Sequence, residues 1–160
     1  MGLVSTNNSN MNLSNLGEFS VEYKYHSNLK DRPKIKTSRD AYEIAKNVFD
    51  MKKIGLQEQI VVLYLNNSNI VIGCCNLNIG ALTGVVVDIR HILASALKLM
   101  AISVIIFHNH PSGKMIASEQ DKVLTKKLDK ALEQIDMKLL DHIIISPFDE
   151  YISLKDEGIF

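Results

Sequence analysis

Apolar and polar positions change period several times along the chain, and each change marks an element. From Ser38 to about Lys53, Ala41, Ile44, Ala45, Val48 and Phe49 recur at helical spacing, with Thr37 or Ser38 placed to cap the start. Residues 58–77, "EQIVVLYLNNSNIVIGCCNL", set two strand-like runs on either side of a turn-forming Asn-Asn-Ser-Asn, which predicts a β-hairpin. Gly80 and "ALTGVVVD" predict a further strand, and Asp88 then caps a helix whose inner face is Ile92, Leu93, Ala96 and Leu97. "AISVIIF" is apolar on both faces and reads as a central strand, followed by a loop, "NHPSGKMIA". Ser118 opens a helix to about Asp136 with Leu124, Leu128, Ala131, Leu132 and Ile135 on one stripe. "KLLDHIIIS" is another strand, "PFDE" a turn and "YISL" a short last strand. Strands alternating with helices predict an α/β fold, a mixed β-sheet flanked by helices.

The 160 residues suffice for one domain with a sizeable core. The first 20 are rich in Asn and Ser, so we divide the chain into a flexible N-terminal tail, 1–36, and a folded domain, 37–160. No apolar run approaches the roughly 20 residues that span a bilayer, and no secretory pattern opens the chain. The expectation is a cytoplasmic protein with no membrane association. Formal net charge is zero, whereas nucleic-acid binders draw much of their affinity from a basic excess. One local basic stretch, Lys30, Arg32, Lys34, Lys36 and Arg39, reads as a solvated face. Cys74 and Cys75 are adjacent in an apolar segment and lack a C-x-x-C pattern, so they read as buried free thiols rather than as a disulfide or zinc ribbon.

The chemistry concentrates in "FHNHPSGKMIASEQD", residues 107–121. Side chains alternate along a strand, so His108 and His110 share a face and Asn109 takes the other. Pro111 ends the strand, having no N–H for the ladder. Ser118 and Asp121 stand at the cap and third positions of a helix, where a carboxylate also satisfies free N–H groups. Capping alone would explain them, and a strand end would tolerate a pair of polar histidines. Two imidazoles on one face beside an acidic helix start point instead to a metal ion. Three protein ligands leave a position open for water, the pattern of catalytic zinc, which lowers that water's pKa to about 7. A proton shuttle is still needed; spacing leaves Glu43, Glu58, Asp88 and Asp141 all open. His142, inside an apolar strand, reads as a satisfied or outer-sphere group, with Asp141 beside it as a hydrogen-bond acceptor. His26 and His91 read as surface residues.

"HNHPSG" followed by Ser118-x-x-Asp121 resembles the motif of the JAMM (MPN-type) metalloproteases, H-[ST]-H-x7-S-x2-D after an upstream Glu. More closely, "EQIVVLYLNNSN", Gly80, Arg90 before "ILASAL", "HNHPSG", "LLDHIII" and "YISLKDEG" resemble the JAB domain of the RadC family, over about 37–160. The resemblance implies a JAB/MPN, cytidine-deaminase-like architecture and one Zn2+ per chain, held by His108, His110 and Asp121. It implies Glu58 as general acid/base and Ser118 as a donor to the oxyanion. Asn109 stands where the eukaryotic proteases have Ser or Thr, as it does in RadC proteins generally. Lys114, Met115 and Ala117 depart from the usual RadC loop, "HNHPSGDPxPS", and bring a positive charge near the metal. The implied activity is zinc-dependent hydrolysis of an amide or isopeptide bond in an unknown protein or peptide substrate. The alternative is a non-catalytic DNA-repair or mobile-element associated factor that uses the JAB domain as an interaction module. Longer RadC relatives carry a helix-hairpin-helix-like domain for which 160 residues are not expected to leave room, so any DNA association is expected to be weak. A zinc nucleobase deaminase would need H-x-E and P-C-x-x-C, and neither occurs.

Overall fold

The computed structural model describes residues 28–77 and 87–160. The expected strand at "ALTGVVVD" lies mostly outside the described residues, as do residues 1–27 with His26. The described chain forms α1 (Ser38–Ala45), β1 (Ile60–Leu65), β2 (Val71–Asn76), α2 (Ile89–Lys98), β3 (Ser103–Asn109), α3 (Glu119–Glu133), β4 (Lys138–Ile145) and β5 (Tyr151–Ser153). The five strands make one mixed sheet in the order β2-β1-β3-β4-β5. β3 and β4 are parallel and joined through α3; the other neighbouring pairs are antiparallel. This is the expected α/β class, and the architecture is consistent with a JAB/MPN domain.

The period-2 and period-3.6 faces meet as two apolar layers. On one face α1 sets Ala41, Tyr42 and Ala45 against Val61, Leu63, Ile105, Phe107 and Ile143. On the other, Ile92 and Ala96 of α2 and Leu128 and Leu132 of α3 cover Val62, Tyr64, Val104 and Ile106. β3 is buried along its whole length, as its two-sided apolar run requires.

Four boundaries and faces differ from the sequence expectation. α1 stops at Ala45 rather than near Lys53: the Asn47 and Val48 N–H groups bond the Ile44 and Ala45 carbonyls in tighter turns, and the Gln59 side chain then holds Asp50, accepting its N–H at 2.9 Å and donating to its carbonyl at 2.9 Å. α3 stops at Glu133, where the chain turns through Asp136 at φ 55° and Met137 N–H bonds the Leu132 carbonyl. Leu97 is 51% exposed, since it lies about 100° round the helix from Ala96. Cys74 is exposed and Cys75 only partly buried: the thiols are free, but β2 is an edge strand. Residues 32–35 run along that edge, with Val71 N–H bonded to the Pro33 carbonyl, Ile35 N–H to the Asn69 carbonyl, and Arg32 Nη1 to the Ile72 carbonyl. Ile35 itself is buried, whereas Lys30, Lys34, Lys36 and Arg39 are exposed.

Candidate metal centre

Parallel pairing puts the C-terminal ends of β3 and β4 side by side, and the start of α3 returns to the same place. Thr37 and Ser118 each close a capping box, so both helix starts are fixed locally; at Ser118 the reciprocal partner is Asp121. Ser118 Oγ donates to Asp121 Oδ2 at 2.7 Å and accepts the Asp121 N–H at 3.1 Å. The cap therefore aims the carboxylate back toward β3.

His108 and His110 do share a face. Their Nε2 atoms are 2.9 Å apart, and Asp121 Oδ1 lies 3.1 Å from His108 Nε2 while Oδ2 lies 3.6 Å from His110 Nε2. One ligand atom from each of the three falls within 4.8 Å of the others. The outer nitrogens are also engaged: His110 Nδ1 donates to the Lys114 carbonyl at 2.6 Å, and His108 Nδ1 meets His142 Nε2 at 2.8 Å. If His108, like His110 against the Lys114 carbonyl, carries its proton on Nδ1, two lone pairs and a carboxylate face one another. That arrangement is repulsive unless a proton or a cation sits among them, and His2Asp is a donor set suited to zinc. The residues present therefore fit the ion.

The electrostatics follow. Burial pushes the Asp121 carboxyl up, but its contacts with His108 and His110 outweigh that and hold it far below the usual carboxylate range. Asp121 raises His110 in turn, against the effect of burial. His142 is fully buried, and burial keeps its imidazole well below the ordinary histidine value.

Glu58 is half-buried and lines the same recess of about 310 Å³ as the two histidines, Ser118 and Asp121. It precedes β1 by two residues rather than opening it. The other three carboxylates lie elsewhere. Glu43 pairs with Arg39 and Lys46 on the surface of α1. Asp88 caps α2 and pairs with Arg90 at 2.6 Å. Asp141 is buried and accepts from Ser153 Oγ, the Lys155 N–H and the His142 N–H, as an acceptor should. His91 is exposed on α2, in agreement with its surface reading.

Two contributors were not legible as such. Asn109 is fully buried and donates to the Ile54 and Gln57 carbonyls while accepting the Gln59 N–H. Thr125 sits on the buried side of α3 and touches His142 Nδ1 at 2.6 Å. Its signal in the sequence is a hydroxyl on an otherwise Leu-rich helical stripe, one turn after Asp121.

A profile of the RadC-like JAB domain matches residues 35–159. The chain belongs to this family. It is 42% identical over 127 residues to a UPF0758 protein of Flavobacterium johnsoniae, covering 79% of this chain and 54% of that one. It is 41% identical over 129 residues to the UPF0758 protein ABC2615 of Shouchella clausii, covering 81% and 54% respectively. A UPF0758 protein of Aquifex aeolicus is 36% identical over 130 residues, covering 81% and 54%. The chain thus spans about half the length of the curated relatives it matches. Among the described residues of this RadC-like domain, no helix is long and apolar enough to cross a membrane.

Proposed function

We propose that this RadC-like JAB domain is a cytoplasmic, zinc-dependent hydrolase of amide or isopeptide bonds in a protein or peptide, with one zinc ion per chain. The observation that carries the reading is the convergence of His108 Nε2, His110 Nε2 and the Asp121 carboxylate in a recess that Glu58 also lines. A bound zinc ion supplies Lewis acidity, acidifying water and polarising a carbonyl. His108, His110 and Asp121 would hold the ion. Glu58 removes a proton from the attacking water and returns it to the departing nitrogen, the two-way role of a general acid/base. Ser118 Oγ, at the mouth of α3, turns its hydrogen from Asp121 Oδ2 to the oxyanion as negative charge develops there. Ile60, Val87 and Leu124 provide apolar walls to the recess.

The test is elemental analysis of protein purified without a chelator, followed by cleavage of a peptide and conjugate library by wild type and Glu58→Gln. Stoichiometric zinc, with cleavage lost in Glu58→Gln, supports the reading. Zinc retained in a His108→Ala, Asp121→Ala double variant removes the site. Zinc without any cleavage turns the reading toward a non-catalytic interaction module.

A further inference from the structure

His108 does not end its hydrogen bonding at His142. His142 Nδ1 lies 2.6 Å from Thr125 Oγ1, and Thr125 Oγ1 lies 2.6 Å from the main-chain carbonyl oxygen of Asp121. The path leaves one candidate ligand on β3, crosses β4, enters α3 and arrives at the backbone of another ligand. His108, Thr125 and His142 are all buried, so water does not compete for these bonds.

The direction of every bond follows from the last one. A carbonyl oxygen only accepts, and two oxygens 2.6 Å apart with no hydrogen between them repel. The Thr125 hydroxyl hydrogen therefore lies toward Asp121. Having one hydrogen, the hydroxyl must then accept from His142 Nδ1. His142, a buried imidazole whose two ring nitrogens meet His108 and Thr125, keeps a lone pair on Nε2 and accepts from His108 Nδ1. His108 is left with its Nε2 lone pair facing the recess.

We propose that His142 and Thr125 are positioning residues that lock His108 in the tautomer whose Nε2 lone pair faces Asp121 and His110. The lock acts against a competing force. Asp121 Oδ1, 3.1 Å from His108 Nε2, would otherwise draw a proton onto that nitrogen and block it as a ligand. The competing tautomer would reverse the whole path and swing the Thr125 hydrogen away from the Asp121 carbonyl. The tautomer assignment stands on these contacts alone; its effect on zinc rests on the function proposed above.

Nitrogen-15 spectra of the imidazoles in metal-free wild-type protein at neutral pH read the tautomer directly. The expected result is a protonated Nδ1 and an unprotonated Nε2 on His108, with Nδ1 protonated on His142. Thr125→Val removes the hydroxyl at nearly constant volume, and the proton on His108 should then shift toward Nε2. Zinc affinity, measured by chelator competition, should fall about 10- to 100-fold, the usual cost of losing an outer partner of a ligand. Thr125→Ser restores the hydroxyl and should recover both readouts, which a packing role for the methyl would not. A protonated Nε2 on His108 in wild type overturns the proposal, and so does a Thr125→Val protein with wild-type tautomer and affinity. Should Thr125→Val fail to fold, the wild-type spectrum still decides. Should wild type bind no zinc, the metal reading falls while the spectrum judges the tautomer independently.

Discussion

Asn109 Oδ1 accepts the backbone N–H of Gln59 at 2.6 Å, so the strand that carries both histidines also fixes the chain next to Glu58. The same amide donates to the carbonyls of Ile54 at 2.6 Å and Gln57 at 3.0 Å. One buried side chain thus saturates three backbone groups of the segment that precedes β1.

Asn109→Ala should leave those groups without this partner. Each buried group left bare costs about 1–3 kcal/mol, so a stability loss of at least about 2 kcal/mol is expected. Urea unfolding with the m-value held constant measures it. A loss below about 0.5 kcal/mol, the range of an ordinary surface substitution, would show that the segment does not depend on Asn109.

Zinc content should follow the three converging residues and not their neighbours. His108→Ala and Asp121→Ala should each bring bound zinc far below one per chain, while His91→Ala, on the exposed face of α2, should leave it unchanged. Elemental analysis after dialysis without chelator is the check.

Glu58→Gln keeps the shape of the side chain and removes its basicity. Hydrolysis should fall roughly a hundred- to ten-thousand-fold, with zinc content and melting temperature near wild type. Equal cleavage by both proteins would dismiss Glu58 as the base.

Asp141 gives a pH dependence whose sign is fixed. Burial pushes its carboxyl up from 3.8 to about 6, with the nearby Asp156 adding to the rise and the bonds from Ser153 Oγ and the Lys155 and His142 N–H groups opposing it. The folded state therefore holds the proton more tightly than the unfolded chain. Its contribution is fully present below about pH 4 and is lost as pH rises through about 6, amounting to about 3 kcal/mol at most. In metal-free protein, the stability of Asp141→Asn relative to wild type should rise across that window and level off above it. A difference that is flat with pH would place the titration elsewhere.

Most of the fold was legible because period and turn chemistry are local properties. The hairpin at Asn66–Asn69, the caps at Asp88 and Ser118 and the buried run of β3 all depend on near neighbours. The course of the chain after Ala45 was not legible, because Asp50 is held by the Gln59 side chain from outside the helical pattern. Nor was the exposure of Cys74, since the local pattern of β2 does not reveal that it lies at a sheet edge. At the site, the His-x-His pair and the Ser118–Asp121 box could be read from spacing alone. Glu58 could not, because it lies far away in sequence and only the family resemblance singled it out. The link from Thr125 to His108 needs β4 laid parallel beside β3, a pairing that no local periodicity encodes.

The groups that converge on the candidate ion come from one neighbouring stretch of chain, the end of β3 and the start of α3. The carboxylate proposed as base comes from a distant one. The two meet through the β1–β3 ladder and the Asn109 amide. Native proteins open in local cooperative units rather than all at once. An opening confined to residues 46–59 would carry Glu58 out of the recess and leave both imidazoles and Asp121 where they are. On the proposed function, the protein would then keep its ion and lose its chemistry, so that holding the ion and using it become separable states of one folded chain.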